Sequence, residues 1–332
     1  MMKKVSWGVL STANIAQTMV IPAMFRAENA EVRAIASRGD KVHGIAAALN
    51  IPKAYESYKE LLDDAEIDAV YIPLPNHLHK EWVLKAAKKG KHVLCEKPAA
   101  LTAAESKEMV EFCREQNVKF MEGFMYQLHP QHARVKEIIA SGEIGEVKLF
   151  KSSHSFYLED RTNDIRMDKE MGGGSIYDLG CYSIQAARYI TRAEPVEVQA
   201  HAEIDEKTGV DISAVVRMKM DNGIPAIFDC SFDMAVRNEY EVIGTKGSIY
   251  IPLAFRPDVF GGIGPVIIKG NGVVREEKVS GDIYKLEIEN FSEAVLTDGQ
   301  PVITGQSTIE NMLVIDACLE SIKTGEKVKL EQ

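Results

Sequence analysis

The sequence has little of what marks several large classes of protein. No apolar run approaches the roughly 18 residues of a membrane span. Lysine and arginine total 39 against 49 aspartates and glutamates, and no dense basic cluster occurs, which argues against nucleic acid as a partner. Five scattered cysteines without a close pair fit neither a disulfide framework nor a zinc site: Cys95, Cys113, Cys181, Cys230 and Cys318. We therefore expect a cytoplasmic protein that binds a small molecule, and no membrane.

The order of the apolar patterns indicates two domains. Residues 1–122 alternate short apolar strands with helices, which is typical of a parallel sheet with right-handed crossovers. One helix in this part is expected to begin near Ile15 and to be interrupted near Pro22. Residues 123–332 are dominated by strands, and end in two helices. We predict an α/β first domain over 1–122 and a second domain over 123–332 with a mostly antiparallel sheet.

The stretch His92-Val93-Leu94-Cys95-Glu96-Lys97-Pro98 marks the centre of a candidate site. A buried strand runs into a carboxylate, an ammonium and a proline, and the proline favours an extended conformation for the residue before it. The Lys97 amine then lies off the carboxyl end of the strand, where open α/β sheets bind ligands. A helix over 102–117 follows, with Thr102 as N-cap and Glu105 completing a capping box. A solvated Glu-Lys turn is the alternative interpretation.

The expected dinucleotide-binding turn lacks its glycines. A pyrophosphate site needs small residues where the backbone approaches the ligand, and a helix N-terminus directed at it. The fingerprint would fall at Ser11-Thr12-Ala13-Asn14-Ile15-Ala16, where small residues replace both leading glycines. The segment follows the first strand and opens the first helix, as the motif requires. A tight turn without a ligand is the alternative.

The end of the second strand indicates which dinucleotide is preferred. An NAD site would place an acidic residue there to bind the ribose 2′-hydroxyl, but the sequence offers Ser37 and Arg38. A hydroxyl and a guanidinium suit a 2′-phosphate. The sequence therefore predicts NADP rather than NAD, with an ordinary solvated arginine as the alternative.

A second unusual stretch begins at Gly172-Gly173-Gly174. Three glycines permit a close turn against another part of the protein. The helix expected after them carries Asp178 and Tyr182 four residues apart, so both side chains lie on one face and can enter one cavity. The alternative is that Tyr182 packs in the core and Asp178 binds a nearby backbone amide.

These stretches together resemble the Gfo/Idh/MocA family of oxidoreductases over essentially the whole chain, and Glu-Lys-Pro is the family's most specific signature. The resemblance implies a Rossmann domain with a doubly wound parallel sheet, followed by an α+β domain with a large, open, mostly antiparallel sheet. It is carried by Trp7-Gly8-Val9-Leu10, Pro73-Leu74-Pro75-Asn76-His77-Leu78-His79, Glu96-Lys97-Pro98, Glu122-Gly123-Phe124-Met125-Tyr126 with His129-Pro130, and the glycine-rich stretch through Tyr182.

Tyr182 and Arg38 place the resemblance within the family. Inositol dehydrogenase-like members have histidine where this sequence has Tyr182. With tyrosine at this position, the sequence resembles the branch that contains glucose-fructose oxidoreductase, NADP-dependent xylose dehydrogenase and dimeric dihydrodiol dehydrogenase. Arg38 agrees with a branch that uses NADP. Gln127 stands where many relatives have arginine, so no particular substrate preference is transferred.

The resemblance implies hydride transfer between a carbinol carbon and the nicotinamide, with a proton moving to or from the oxygen. Tyr182 is implied as the general acid/base. Free tyrosine titrates near ~10, and a nearby lysine stabilises its phenolate. Lys97 is therefore assigned to tune Tyr182 and to hold the substrate oxygen, although the two roles could be exchanged. Asp178 is assigned to orient Lys97 or to bind a substrate hydroxyl, and no metal is required.

The resemblance also implies further contacts. The cofactor is expected to lie along Ser11, Thr12, Ala13, Asn14, Ile15, Ser37, Arg38, Pro73, Leu74, Asn76, His79, Glu96 and Lys97. A sugar or polyol substrate, whose hydroxyl groups need polar partners, is expected against Tyr126, His129, Tyr157 and Arg166.

Several alternatives remain open at this stage. A dihydrodiol dehydrogenase-like enzyme would act on a more apolar diol. An NADP-sensing regulator would have no use for Lys97 and Tyr182, and a glycosidase that borrows NAD would be expected to use a different acid/base set. The open sheet would expose an apolar face unless it is covered, so a homodimer or homotetramer is expected.

Overall fold

The chain divides into two compact units. The computed structural model describes residues 3–162, 164–270 and 272–330. The first unit is Met1–Met125 with Tyr284–Glu310, and the second is Tyr126–Ile283 with Asn311–Gln332. The domain limits given above, 1–122 and 123–332, stay a proposal. In the compact units, the segment Tyr284–Glu310 lies with the first part of the chain.

The first unit is built on a six-stranded parallel sheet with the order β3-β2-β1-β4-β5-β6. The fold class predicted for this part, a doubly wound parallel sheet, is confirmed. Its strands are β1 Val5–Leu10, β2 Ala30–Ala36, β3 Lys53–Tyr55, β4 Ala69–Ile72, β5 His92–Glu96 and β6 Phe120–Gly123. Its first helices are α1 Ile21–Arg26, α2 Lys41–Ala48, α3 Tyr58–Asp63, α4 Asn76–Lys88 and α5 Ala103–Glu115.

The central strands of this sheet carry apolar runs because helices cover both faces. All four residues of β4 are buried, and five of the six in β1 are. Thr102 is the N-cap of α5 as predicted, since its Oγ1 accepts from the Glu105 amide at 3.2 Å. The return bond of the predicted capping box is shifted by one residue, because Glu105 Oε2 accepts from the Leu101 amide at 3.1 Å and not from that of Thr102.

The helix expected to be interrupted near Pro22 continues through it, so that expectation was wrong. A π-helical turn, Ala16–Val20, precedes α1, and the Ile21 amide donates to the Ala16 carbonyl. Pro22 then stands in the first turn of α1, directly after the π-helical turn, and because it has no N–H it donates no hydrogen bond to that preceding turn.

The second unit is built on a nine-stranded sheet with the order β14-β13-β12-β11-β7-β10-β9-β8-β15. Only the pairing of β7 with β10 is parallel, so the predicted mostly antiparallel sheet is confirmed. Its strands are β7 Val147–Tyr157, β8 Pro195–Ile204, β9 Asp211–Met220, β10 Pro225–Ser231, β11 Asp233–Gly244, β12 Gly247–Ile251, β13 Ile263–Gly270, β14 Val273–Ser280 and β15 Val328–Lys329.

Helices cover one face of this sheet. α6 (Pro130–Ser141) packs against β13 and β14, and α7 (Cys181–Thr191) packs against β7 and β10. Along β9, alternate residues such as Val216 are buried, while Val215 between them is 55% exposed. This period of two is the pattern of a sheet with one covered face.

Two helices close the chain, α8 (Ile283–Thr297) and α9 (Gly305–Thr324). Within the first unit, α8 packs on β1, since the Trp7 indole N–H donates to Ser292 Oγ at 3.1 Å and the Trp7 ring lies 5.5 Å from Phe291. None of the helices among the described residues is long and apolar enough to cross a bilayer.

Candidate active site

The turn between β1 and the first helix keeps a glycine-like backbone without a glycine. Ser11 has φ of +147°, a value that non-glycine residues rarely adopt and that costs about 1–3 kcal/mol. Its hydroxyl accepts from the Ala13 amide at 3.0 Å, which offsets part of that cost. Asn14 is exposed, and Ile15 is half-buried in the helix that follows. The turn thus consists of small residues and has the positive φ that the glycine of the fingerprint would supply.

The end of β2 meets this turn. Thr12 Oγ1 and Ser37 Oγ lie 3.4 Å apart. Arg38 is exposed, and the described part of the chain offers its guanidinium no ion pair. A free guanidinium beside a half-buried hydroxyl fits the 2′-phosphate of NADP better than the 2′-hydroxyl of NAD.

His79 joins the loops that follow β4 and β5. Its ring is fully buried, with Nε2 2.7 Å from the Leu74 carbonyl oxygen and Nδ1 3.0 Å from the Pro98 carbonyl oxygen. Burial lowers the pKa of His79 to about 4. Pro73 and Leu74 are buried in the same loop, and Asn76 opens α4 half-buried. The ring fixes two loops, while its predicted contact with the cofactor stays a prediction.

Glu96 is the last residue of β5, one residue later than the predicted strand end, and Lys97 follows the strand as predicted. Tyr71 Oη donates to Glu96 Oε1 at 2.5 Å, and the Lys97 amide donates to Glu96 Oε2 at 3.3 Å. Lys97 is half-buried, and the Lys97–Pro98 peptide bond is cis. Sequence reasoning missed Glu287 of α8, a fully buried carboxyl whose pKa is raised well above its usual range by burial and, second, by the charge of Glu96.

Asp178 and Arg166, predicted for different roles, form an ion pair in the second unit. Arg166 Nε donates to Asp178 Oδ2 at 2.7 Å, and the Arg166 amide donates to Asp164 Oδ1 at 2.8 Å. The Asp178 charge raises the pKa of Arg166. The arginine therefore neutralises the carboxylate while its remaining N–H groups can donate further.

The helix after the glycines is π-helical where α-helix was expected. A π-helical turn, Ile176–Gly180, carries Asp178, and Tyr182 lies in the first turn of α7. The four-residue spacing therefore crosses a change of helix type, and the simple one-face argument from α-helical geometry does not hold. Such turns occur frequently at functional sites.

Tyr182 lies in a cluster of rings that we call the Tyr182 cluster: Tyr126, His154, Tyr182 and Phe255. The Tyr182 ring centre is 5.2 Å from His154, 5.4 Å from Phe255 and 5.8 Å from Tyr126. Tyr182 is 6% exposed. The hydroxyl of Tyr126 donates to Gln185 Oε1, and burial raises the pKa of Tyr126 well above its usual range.

Of the remaining predicted substrate residues, His129 adjoins this cluster, because its amide donates to the Tyr126 carbonyl at 2.9 Å. His129 is 1% exposed and caps α6, with Nδ1 accepting from the Gln131 amide and Nε2 3.1 Å from the Gly262 carbonyl oxygen. Tyr157 is 63% exposed at the end of β7. Their contacts with a substrate stay predictions.

Two members of the Tyr182 cluster were missed by sequence reasoning. His154 follows Phe150 and Ser152 on the buried face of β7, so the period of two could have identified a buried histidine. Phe255 lies outside the strands and helices, where no local pattern marks a buried ring. Among the described residues, no three histidine, cysteine, aspartate or glutamate side chains are grouped to hold a metal ion.

Family models match most of both units. Residues 5–124 match the model described as "Oxidoreductase family, NAD-binding Rossmann fold", and residues 132–250 match the "GFO/IDH/MocA C-terminal domain". D-xylose 1-dehydrogenase (NADP(+)) 2 of Haloferax volcanii is 39% identical over 326 residues, 98% of this chain and 99% of that protein.

Relatives of lower sequence identity also match most or nearly all of the chain. Trans-1,2-dihydrobenzene-1,2-diol dehydrogenase of Xenopus laevis is 34% identical over 74% of each chain. The crystal structure of aldose-aldose oxidoreductase from Caulobacter crescentus, complexed with glycerol, superposes with a TM-score of 0.92 and 26% identity over 99% of this chain and 100% of that one. With the site residues and both matching domain models, these similarities show that the chain belongs to the Gfo/Idh/MocA family of oxidoreductases.

Proposed function

We propose that the protein is an NADP-dependent dehydrogenase or reductase that acts on a CH–OH group of a sugar or polyol. The observation that carries the proposal is the exposed Arg38 beside Ser37 and the Ser11 turn, together with the similarity to an NADP-dependent xylose dehydrogenase. The carbinol at C1 of a pentose or hexose aldose is the favoured position of oxidation.

The residues of the first unit fit the cofactor. Small residues and the strained Ser11 backbone leave room for the pyrophosphate, and Arg38 supplies a cation for the 2′-phosphate. When bound, the nicotinamide ring would accept or supply the hydride. We assign the cofactor to Ser11, Thr12, Ala13, Asn14, Ile15, Ser37, Arg38, Pro73, Leu74, Asn76, Glu96 and Lys97, with His79 fixing the loops that carry Leu74 and Pro98.

Catalysis is assigned to Lys97 and Tyr182. During oxidation the Tyr182 phenolate would take the hydroxyl proton while the hydride leaves the same carbon, and during reduction it would return the proton. The Lys97 ammonium would stabilise the phenolate and hold the substrate oxygen. Asp178, paired with Arg166, would hold that guanidinium for a substrate hydroxyl.

We also propose a cytoplasmic homodimer or homotetramer. All five cysteines are buried free thiols, which suits a reducing compartment. Val215 lies on a face of β9 that the described residues leave exposed, and a second subunit would bury this face. Sedimentation at micromolar concentration should give a multiple of 36.8 kDa, and a single species at the monomer mass would contradict the proposal.

Oxidation of an apolar trans-diol is the second candidate function. The 34% identity with trans-1,2-dihydrobenzene-1,2-diol dehydrogenase favours it. The two candidates use the same cofactor and proton transfer, so only the substrate separates them.

The test is the rate of NADP and NAD reduction, followed by absorbance, across aldoses, polyols and trans-diols. Turnover of a sugar with NADP preferred is the expected result. Turnover of diols alone would support the second candidate. Tight binding of NADP without any turnover would contradict the enzyme and favour a sensor.

A further inference from the structure

Asp211 makes a buried contact with the start of the helical segment that carries the site residues. It is the first residue of β9 and is 5% exposed. Its Oδ2 accepts from Ser175 Oγ and from the Ile176 amide, both at 2.7 Å. Ser175 is itself fully buried. Amides at a helix start need an acceptor from outside the helix, and Asp211 supplies one from the neighbouring sheet.

The glycines before this segment are shaped around the same carboxylate. Gly174 has φ of +118°, and a Cβ there would lie 2.2 Å from Asp211 Oδ1. Its amide donates to the Arg166 carbonyl at 2.9 Å. A Cβ on Gly173 would lie 2.5 Å from that same carbonyl oxygen. The turn therefore closes between the backbone of Arg166 on one side and Asp211 on the other.

The sheet holds Asp211 firmly in place. The Phe232 amide donates to the Ile212 carbonyl at 2.8 Å, and the hydroxyl oxygens of Ser213 and Ser231 lie 2.6 Å apart between β9 and β10. The Cys230 thiol of β10 donates to Ser175 Oγ at 3.4 Å. The first turn of the helix is thus tied to two strands.

We propose that Asp211 is a positioning residue that fixes the register of the π-helical turn bearing Asp178 and, through it, the place of Tyr182. Its carboxylate acts through Ser175 and Ile176. The catalytic part of this inference rests on the proposed function, because only there does the place of Tyr182 set the rate. Loss of the acceptor leaves a buried hydroxyl and a buried amide unsatisfied, which loosens the turn.

The variants separate positioning from general stability. Asp211→Ala removes the acceptor, Asp211→Asn keeps an oxygen in its place, and Ser175→Ala removes one of the two bonds. Glu194→Gln is the matched control, because Glu194 pairs with the buried Arg188 near the other end of α7. It weakens the same helix without touching the glycine turn.

Amide hydrogen exchange tests, without any substrate, whether Asp211 holds the π-helical turn in place. In Asp211→Ala, exchange at residues 176–182 should accelerate about 10-fold or more, with Asp211→Asn close to wild type and Glu194→Gln affecting only the end of α7. Unchanged exchange at residues 176–182, or equal acceleration throughout the second unit, would overturn the proposal. If Asp211→Ala does not fold, Ser175→Ala gives the same comparison with a smaller change.

Steady-state kinetics, with a substrate identified by the panel of aldoses, polyols and trans-diols, test whether Asp211 affects catalysis through the place of Tyr182. We expect kcat to fall about 10-fold to 100-fold in Asp211→Ala, with largely unchanged NADPH affinity and recovery in Asp211→Asn. An equal loss of kcat in Glu194→Gln would overturn the positioning role. If no substrate is turned over, the proposed function has failed, and hydrogen exchange alone decides whether Asp211 holds the π-helical turn in place.

Discussion

Ser11 shows why a missing motif residue need not mean a missing site. The fingerprint asks for glycine because the backbone needs a positive φ and a close approach to the ligand. Ser11 adopts φ of +147° all the same, and its hydroxyl binds the Ala13 amide. Because residue type indicates backbone conformation only indirectly, the sequence alone could not distinguish a dinucleotide-binding turn from a tight turn without a ligand. Arg38 gave a clearer signal, because its charge is itself the property that a 2′-phosphate recognises.

Arg38→Ala should change cofactor preference. The exposed guanidinium is assigned to the 2′-phosphate, and a hydrogen bond to a charged group contributes about 1.5–3 kcal/mol. We expect NADPH affinity to fall about 10-fold to 100-fold, with NADH affinity almost unchanged, measured by the quenching of protein fluorescence.

Arg33→Ala is the control for that measurement. Arg33 lies on β2, the strand that precedes Arg38, but its guanidinium pairs with Glu31. A similar loss of NADPH affinity in both variants would remove Arg38 from the cofactor site.

Most strands and long helices could be predicted because burial imposes a period on the sequence. The short strand β3 and the helix α3 were missed, since β3 has only three half-buried residues and shows no alternation. The position of α8 in the first unit could not be inferred either, because contacts such as that of Trp7 with Ser292 join distant parts of the chain. Both π-helical turns, Ala16–Val20 and Ile176–Gly180, were also missed, since tertiary packing rather than local propensity decides them.

Gly174→Ala should destabilise the second unit strongly. The added Cβ would meet Asp211 Oδ1 at 2.2 Å, and φ is +118°. Strain of roughly 1–2 kcal/mol and a steric clash then act together, and we expect a loss of about 3 kcal/mol or more in the free energy of unfolding by urea.

Gly223→Ala separates strain from the clash. Gly223 has φ of +83° and open space around it, so its substitution should cost about 1 kcal/mol. Equal costs at the two glycines would show that Asp211 does not shape the turn.

At the scale of the whole molecule, buried neutral histidines should make the native state less stable as the pH falls. Burial lowers the pKa of His79 to about 4 and that of His132 to about 3. Below about pH 6.5 these histidines bind protons in the unfolded chain but not in the native state. The native state therefore loses stability relative to the unfolded chain as the pH falls. Asp211 acts in the opposite direction, because burial raises the pKa of its carboxyl to about 6 and the native state binds its proton first.

The free energy of unfolding should therefore fall between pH 6.5 and 4. Burial lowers the pKa of four histidines, His79, His92, His129 and His132, and raises that of two carboxyls, Asp211 and Glu287. The histidines outnumber the carboxyls, and one proton corresponds to about 1.4 kcal/mol per pH unit. Urea titrations followed by circular dichroism at several pH values should show a weaker slope for His132→Asn. A wild-type stability that stays constant or increases over this range would contradict the burial of neutral histidines.

The measurement that tests the central claim most directly compares wild type with Lys97→Met and Tyr182→Phe on the best sugar substrate, with NADPH binding measured on the same samples. The account predicts that both variants bind NADPH within a few-fold of wild type while kcat falls about 100-fold to 10,000-fold, because proton transfer is lost. Turnover near the wild-type rate in either variant would contradict the assignment of that residue to catalysis.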